Sequence, residues 1–353
     1  MLREGPVRPV LWGAMAAMIA LTGGKAFAQA SYPPPNAGDV PNPYRTILSW
    51  GELPDGRKWG ATAGVSVGPD GNIWTAERCG SNSCADSDVD PILEIDRKTG
   101  VVLKHFGKGL FVEPHGLSVD RDGNVWVTDG DGKAGKGHQV FKFSPEGKIL
   151  LRLGKAGVAG PGLDVFDAPN AVLVAPNGDI FVAEGHAPTL GNSRIVKFDR
   201  TGKFIKVLGK KGSGPGEFIE PHCLAMDSAG RLFVADRSNN RIQILDQDGG
   251  FIAEWKQFGR PSGLFIRNDI LTVSDSESHP DRPGTHGYNP GCDRGFRIGS
   301  VKDGKVTAFI PNPDGLTGGS EGVAVDRDGN VYGAARIAAE AGRLEKFVPP
   351  GKP

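Results

Sequence analysis

The chain has 353 residues, 41 basic and 41 acidic side chains, and a hydrophobic fraction of 38%. This balance gives no electrostatic footing for a nucleic-acid or membrane-surface partner, and the apolar fraction is too high for a disordered chain. Its 53 glycines and 27 prolines have no three-residue period, which excludes collagen and points to an all-β protein rich in tight turns.

At the N-terminus, Arg3 and Arg8 precede an apolar stretch from Val10 to Leu21. Small-x-small cleavage sites follow at Ala26-Phe27-Ala28 and Ala28-Gln29-Ala30. Residues 1–30 are therefore expected to be a signal peptide, with the mature protein secreted or periplasmic and free of any membrane span after cleavage. A Pro-rich segment, 31–43, precedes the domain expected over 44–348, and 349–353 form a tail. Four cysteines in an exported chain permit disulfides. Cys79 and Cys84 are near enough in sequence to close a small loop, leaving Cys223 and Cys292 to pair at long range.

The body of the chain repeats one unit. GVSVGPDGNIWTAE begins at Gly64, GLSVDRDGNVWVTD at Gly116, AVLVAPNGDIFVAE at Ala171, CLAMDSAGRLFVAD at Cys223, GLFIRNDILTVSD at Gly263 and GVAVDRDGNVYGAA at Gly322. Each is an apolar run, a turn of the Asp-Gly-Asn kind and a second run, which is a β-hairpin signature. Second hairpins follow from His138, Ser193 and Asn240. Four antiparallel strands per repeat make one propeller blade, so the expected fold is all-β, a six-bladed propeller. The last repeat holds only three strands. The segment Tyr44 to Trp50 is expected to complete that blade and close the ring.

The residue that leads into each innermost strand stands at one mouth of the central channel. Round the ring these are Ala63, His115, Asn170, His222, Ser262 and Glu321. His115, His222 and Glu321 fall on alternate blades, and two imidazoles with a carboxylate suit zinc or another divalent transition metal while leaving a position open. Loops between second and third strands open on the same face and hold the long insertions: Arg78 to Pro91, Gly130 to Gly137, Gly185 to Asn192 and Ser276 to Phe296. In these loops Arg78 suits bidentate binding of a carboxylate and His186 suits proton transfer near neutral pH. His279 and His286 read as solvated loop residues, and His105 and His138 as strand or turn residues. No nucleophile elbow, P-loop or dinucleotide fingerprint occurs in a strand-to-helix context.

ADRSNNRIQIL, from Ala235, resembles a standard NHL repeat. FVEPHGLSVDRDGNVWVTD and FIEPHCLAMDSAGRLFVADRSNNRIQ resemble blades of peptidyl-α-hydroxyglycine α-amidating lyase, over about Ile47 to Phe347. The resemblance implies a zinc lyase that splits a peptidyl-α-hydroxyglycine into a peptide amide and glyoxylate. His115 and His222 match two of that family's three zinc histidines, and Arg78 matches its substrate arginine. Glu321 stands where the third histidine is expected, His186 where the family has a catalytic tyrosine, and Gly322 where it has an aspartate. The resemblance also implies a structural calcium held largely by backbone carbonyls. Two other classes fit the repeats: a non-catalytic NHL propeller that binds a peptide or protein, and a gluconolactonase-like metal-dependent lactonase, for which Glu321 and Asn170 speak. In each case the expected partner is a small molecule or peptide at the channel mouth of a monomer.

Overall fold

The computed structural model describes Met1 and residues 34–186, 191–313, 319–335 and 343–351. The segment read as a signal peptide lies, apart from Met1, outside the described residues. Among the described residues no helix is long and apolar enough to cross a membrane.

Six antiparallel four-stranded sheets make a six-bladed propeller. From the axis outward, blade 1 holds Thr62–Val67, Ile73–Glu77, Ile92–Ile95 and Val102–Phe106. Blade 2 holds Pro114–Val119, Val125–Lys133, Lys136–Phe143 and Ile149–Leu153; blade 3 holds Pro169–Val174, Ile180–Glu184, Arg194–Phe198 and Phe204–Leu208. Blade 4 holds Pro221–Met226, Leu232–Asp236, Arg241–Leu245 and Phe251–Trp255; blade 5 holds Gly263–Arg267, Ile270–Asp275, Gly295–Ser300 and Val306–Pro311. Blade 6 takes Ser320–Val325, Val331–Ala335 and Arg343–Val348 from the end of the chain, and Arg45–Trp50 from its start. Arg45 pairs with Val348 and Trp50 with Leu344, so the ring is closed by hydrogen bonds between the first strand and the last.

The hydrophobic core is divided among the six interfaces between blades. Along Leu232–Asp236, Phe233 and Ala235 pack toward Leu271 and Val273 of blade 5. Leu232 and Val234 pack toward Phe181 and Ile195 of blade 3. The period-2 alternation of a strand thus feeds two cores at once, which is why the second strands read as unbroken apolar runs. The hairpin turns between first and second strands are held by their own side chains. In blade 2 the Asp120 carboxylate accepts from the backbone N–H of Asp122 at 3.0 Å and of Asn124 at 2.9 Å.

Five second strands carry a buried carboxylate, at the strand's last residue in Glu77, Glu184, Asp236 and Asp275 and within the longer strand of blade 2 in Asp129. Each accepts a backbone N–H from the segment that enters its own blade's innermost strand: Gly60, Val112 and Glu113, Asp167, Ile219, and Arg260 respectively. These contacts fix the chain immediately before the residues that face the channel. In blade 6 the corresponding position is Ala335.

One expectation about covalent structure holds and one fails. Cys79 and Cys84 form a disulfide, whereas Cys223 and Cys292 are both free thiols. The Cys223 sulfur lies on an innermost strand against the Leu264 backbone, and Cys292 points to the Asp275 carboxylate at the far end of that blade's second strand. No bridge joins Cys223 to Cys292.

Candidate metal and substrate site

Five of the ring residues lie within the strand ladders, and Ser262 immediately precedes its strand. In blades 1, 2, 3, 4 and 6 the pairing register shifts around Ala63, His115, Asn170, His222 and Glu321. A β-bulge turns the side chain of its extra residue out of the normal alternation, and here the bulges accompany the turn of these side chains toward the axis. Close approach of the innermost strands helps. A Cβ on Gly116 would lie 2.4 Å from the Asn170 carbonyl oxygen, and one on Gly322 would lie 2.3 Å from that of Ala63. The aspartate implied at position 322 by the family resemblance therefore has no room in this backbone. The channel encloses about 210 Å³ and is lined by all six ring residues.

His115 donates from Nδ1 to the Asn170 carbonyl at 3.0 Å, and His222 from Nδ1 to the Ser262 carbonyl at 2.7 Å. A carbonyl only accepts, so each ring carries its proton on Nδ1 and keeps its lone pair on Nε2. Both Nε2 atoms are buried and have no hydrogen-bond partner among the described residues. Burial, then the neighbouring His186 and His222, holds the His115 ring well below its ordinary imidazole range. For His222 the causes are burial, then Arg237 and His186. Two neutral, oriented imidazoles with unpartnered Nε2 atoms are donors of the kind that transition metals take.

A third imidazole lies beside this pair. His186 comes in from the loop after the second strand of blade 3, its ring centroid 4.7 Å from that of His115 and 5.3 Å from that of His222. One nitrogen from each of the three rings lies within 4.8 Å of the others, a group that could hold a metal ion. Glu321 stands at the edge of this triple, its Oε2 3.9 Å from His115 Nε2 and its Oε1 3.6 Å from Arg237 Nη1. His186 is also lowered, by burial and then by Arg237, which donates to its Nε2 at 3.3 Å.

Arg78 is fully buried. Its guanidinium meets Glu113 at 2.7 Å and Asn82 at 2.7 Å, and Nε donates to the Pro114 carbonyl at 3.3 Å. Arg237 was not singled out from the sequence, yet it is equally buried and closer to the imidazoles. Its Nη2 is 2.5 Å from Glu220, while Nε and Nη1 lack a hydrogen-bond partner among the described residues. Burial pushes Glu220 upward, but the charge of Arg237 overrides it and holds the carboxyl well below its usual range. A signal for Arg237 existed. Glu77-Arg78 and Asp236-Arg237 occupy the same place in blades 1 and 4, directly after the second strand.

The remaining histidines stay outside the cluster. Arg260 lies 3.1 Å from His286 Nε2 and 3.1 Å from Glu277, making a charged rim beside Arg237. His279 bridges to Tyr288 within the same loop, His105 pairs with Asp90 at 2.8 Å, and His138 accepts from the Ala168 N–H at 3.4 Å.

A family model for the NHL repeat matches residues 111–143 and 218–245. Human NHL repeat-containing protein 3 is 38% identical over 245 residues, covering 67% of each chain. Fruit-fly peptidyl-alpha-hydroxyglycine alpha-amidating lyase 1 is 34% identical over 281 residues, 73% of this chain and 48% of the relative. Mouse peptidyl-glycine alpha-amidating monooxygenase is 44% identical over 207 residues, 53% of this chain, and the match spans only 20% of that much longer protein. Among solved structures, a gluconolactonase from Xanthomonas campestris superposes with a TM-score of 0.56 at 14% identity, over 87% of this chain and 90% of that one. That likeness concerns the fold alone.

Proposed function

The chain belongs to the NHL-repeat propeller proteins and resembles the amidating lyases among them, and from this premise we propose that it is a metal-dependent lyase. The reaction is cleavage of the C–N bond of an N-acyl-α-hydroxyglycine to a primary amide and glyoxylate. The observation that carries this reading is the pair of buried, unpartnered Nε2 atoms of His115 and His222, with the His186 ring within reach of both.

In this reading His115, His222 and His186 hold a zinc or similar divalent ion. A metal there supplies Lewis acidity toward the substrate hydroxyl oxygen. Arg78 and Arg237 flank the triple from blades 1 and 4, and either guanidinium suits the substrate carboxylate. Glu321 stands between His115 and Arg237 and receives the hydroxyl proton. As that proton leaves, the oxygen forms a carbonyl, the C–N electron pair passes to nitrogen, and nitrogen takes up a proton. The water-poor channel mouth, where the three imidazoles and both arginines are buried, strengthens each of these charge contacts.

This assignment exchanges two roles expected from the family resemblance. His186 moves from proton transfer to the ligand set, and Glu321 moves from the ligand set to proton transfer. The test is release of glyoxylate from N-benzoyl-α-hydroxyglycine by zinc-loaded protein, compared with protein stripped by chelator. Zinc-dependent turnover supports the reading. If loaded protein releases glyoxylate no faster than buffer does, the lyase is excluded.

A further inference from the structure

Asn170 is the ring residue of blade 3, between His115 and His222 in ring order, and is 1% exposed. Its backbone carbonyl anchors His115, but its side-chain Oδ1 and Nδ2 both lack a hydrogen-bond partner among the described residues. A buried amide unpaired at both ends is costly, and native proteins supply it with a partner. The ring offers little. Ala63 is apolar, and the Ser262 hydroxyl is engaged with Ser276 at 2.7 Å. Asn170 lines the channel, so its partner is expected to come from there.

We propose that Asn170 is a subsite for a primary carboxamide. Its acceptor and donor lie on one edge of a planar group, so a ligand that satisfies both must itself show a donor and an acceptor on one edge. A secondary amide in its trans form points C=O and N–H to opposite edges and engages only one of them. An ester has no donor. A primary carboxamide offers both and closes a reciprocal two-bond ring with Asn170.

This deepens the lyase reading and rests on it for the origin of the carboxamide, though the pairing itself requires no catalysis. In an N-acyl-α-hydroxyglycine the glycine carbon occupies the amide edge next to the carbonyl oxygen. When the C–N bond breaks, the hydroxyl loses its proton and becomes the aldehyde oxygen of glyoxylate. The electron pair goes to nitrogen, which gains one proton, and the new N–H takes the place of the lost carbon. The edge that Asn170 recognises therefore forms only as the bond breaks, and pairing favours the product side of the barrier. Asn170 is a specificity-determining residue in this scheme.

Calorimetry on the zinc-loaded full chain tests the proposal with three probes: N-acetylphenylalaninamide, its N-methylamide and the corresponding methyl ester. The wild type is expected to bind the primary amide about tenfold or more tightly than either other probe. Asn170→Leu is expected to equalise the three at unchanged zinc content, and Asn170→Ala does the same if the leucine variant fails to fold. Equal affinities in the wild type, binding of none of the probes, or a preference that survives both substitutions would show that Asn170 holds ordered water only. Glyoxylate release without a probe preference sinks the subsite alone. A preference abolished by substitution, without glyoxylate release, sinks the lyase alone.

Discussion

The His115 ring of blade 2 donates through Nδ1 to the Asn170 carbonyl of blade 3, 3.0 Å away. His222 repeats the arrangement from blade 4 to the Ser262 carbonyl of blade 5. Each ligand imidazole is thus oriented, and its tautomer set, by the next blade, so metal affinity depends on how the blades pack. Added zinc is expected to raise the melting temperature of the wild type, by about 3 kcal/mol of stability at a hundredfold excess over the dissociation constant. His222→Ala is expected to remove that shift and most retained metal, with the β-rich circular dichroism preserved. Full metal occupancy by mass spectrometry in the variant removes His222 as a ligand.

Arg78 and Glu113 are expected to act as a unit. Arg78→Ala removes a buried charge and leaves Glu113 and Asn82 without their guanidinium. Glyoxylate release is expected to drop by roughly 100-fold in kcat/KM, the range for a lost charge-assisted contact. Arg78→Lys is expected to recover little, because an ammonium cannot reach Glu113, Asn82 and the Pro114 carbonyl together. Unchanged kinetics in both variants reduces Arg78 to a structural ion pair.

The stability contributed by the raised carboxyls is expected to be lost between about pH 4 and pH 7, against an opposite slope from His115, His186 and His222, whose lowered imidazoles take up protons on unfolding. Burial pushes Asp129 up to about 7, against the opposing backbone N–H groups of Val112 and Glu113. Glu77, Glu184 and Asp236 are raised as well, each chiefly by burial. A carboxyl whose folded value exceeds its unfolded value binds its proton more tightly when folded. Stability is then highest below the unfolded value, falls as pH rises through the folded value, and is level above it. Asp129→Asn is expected to flatten this slope and to stabilise the protein at pH 8 by roughly 2–4 kcal/mol. Urea unfolding of the wild type and of Asp129→Asn at pH 5 and pH 8 checks it, and a stability difference between the two that does not change with pH refutes it.

The thiols give a chemical test. Burial and Asp275 push Cys292 up to about 12, and burial raises Cys223. Neither holds useful thiolate at neutral pH. Alkylation of the native protein is expected to leave both unmodified, and denaturation to expose both. Peptide mapping without reductant is expected to recover Cys79 joined to Cys84. A mapped Cys223–Cys292 peptide contradicts the structure.

The fold was legible because each blade repeats a strand, a turn with its own residue signature and a second strand, all local in sequence. The ring positions were legible for the same reason: once the repeats are aligned, His115, Asn170, His222 and Glu321 fall in one column. His186 was legible as a residue of the same mouth, but its place beside the two ring imidazoles was not, because it reaches the axis through a loop whose path no repeat fixes. Arg237 lay within reach of the alignment, in the column of Arg78. The Cys223–Cys292 pairing failed because parity counts thiols without placing them. One is held on an innermost strand and the other at an outer loop.

The union of Arg45–Trp50 with Arg343–Val348 has a kinetic consequence. Arg45–Trp50 is synthesised well before its partner Arg343–Val348, so this strand waits unpaired while the five other blades emerge. Joining them late costs little extra entropy, because closure cost grows only with the logarithm of loop length, but it is a contact of nearly maximal sequence separation and should be slow. Glu321 lies on the innermost strand of that same blade. A nascent chain can therefore stack blades 2 to 4 and assemble its imidazoles before the carboxylate opposite them has a finished wall behind it.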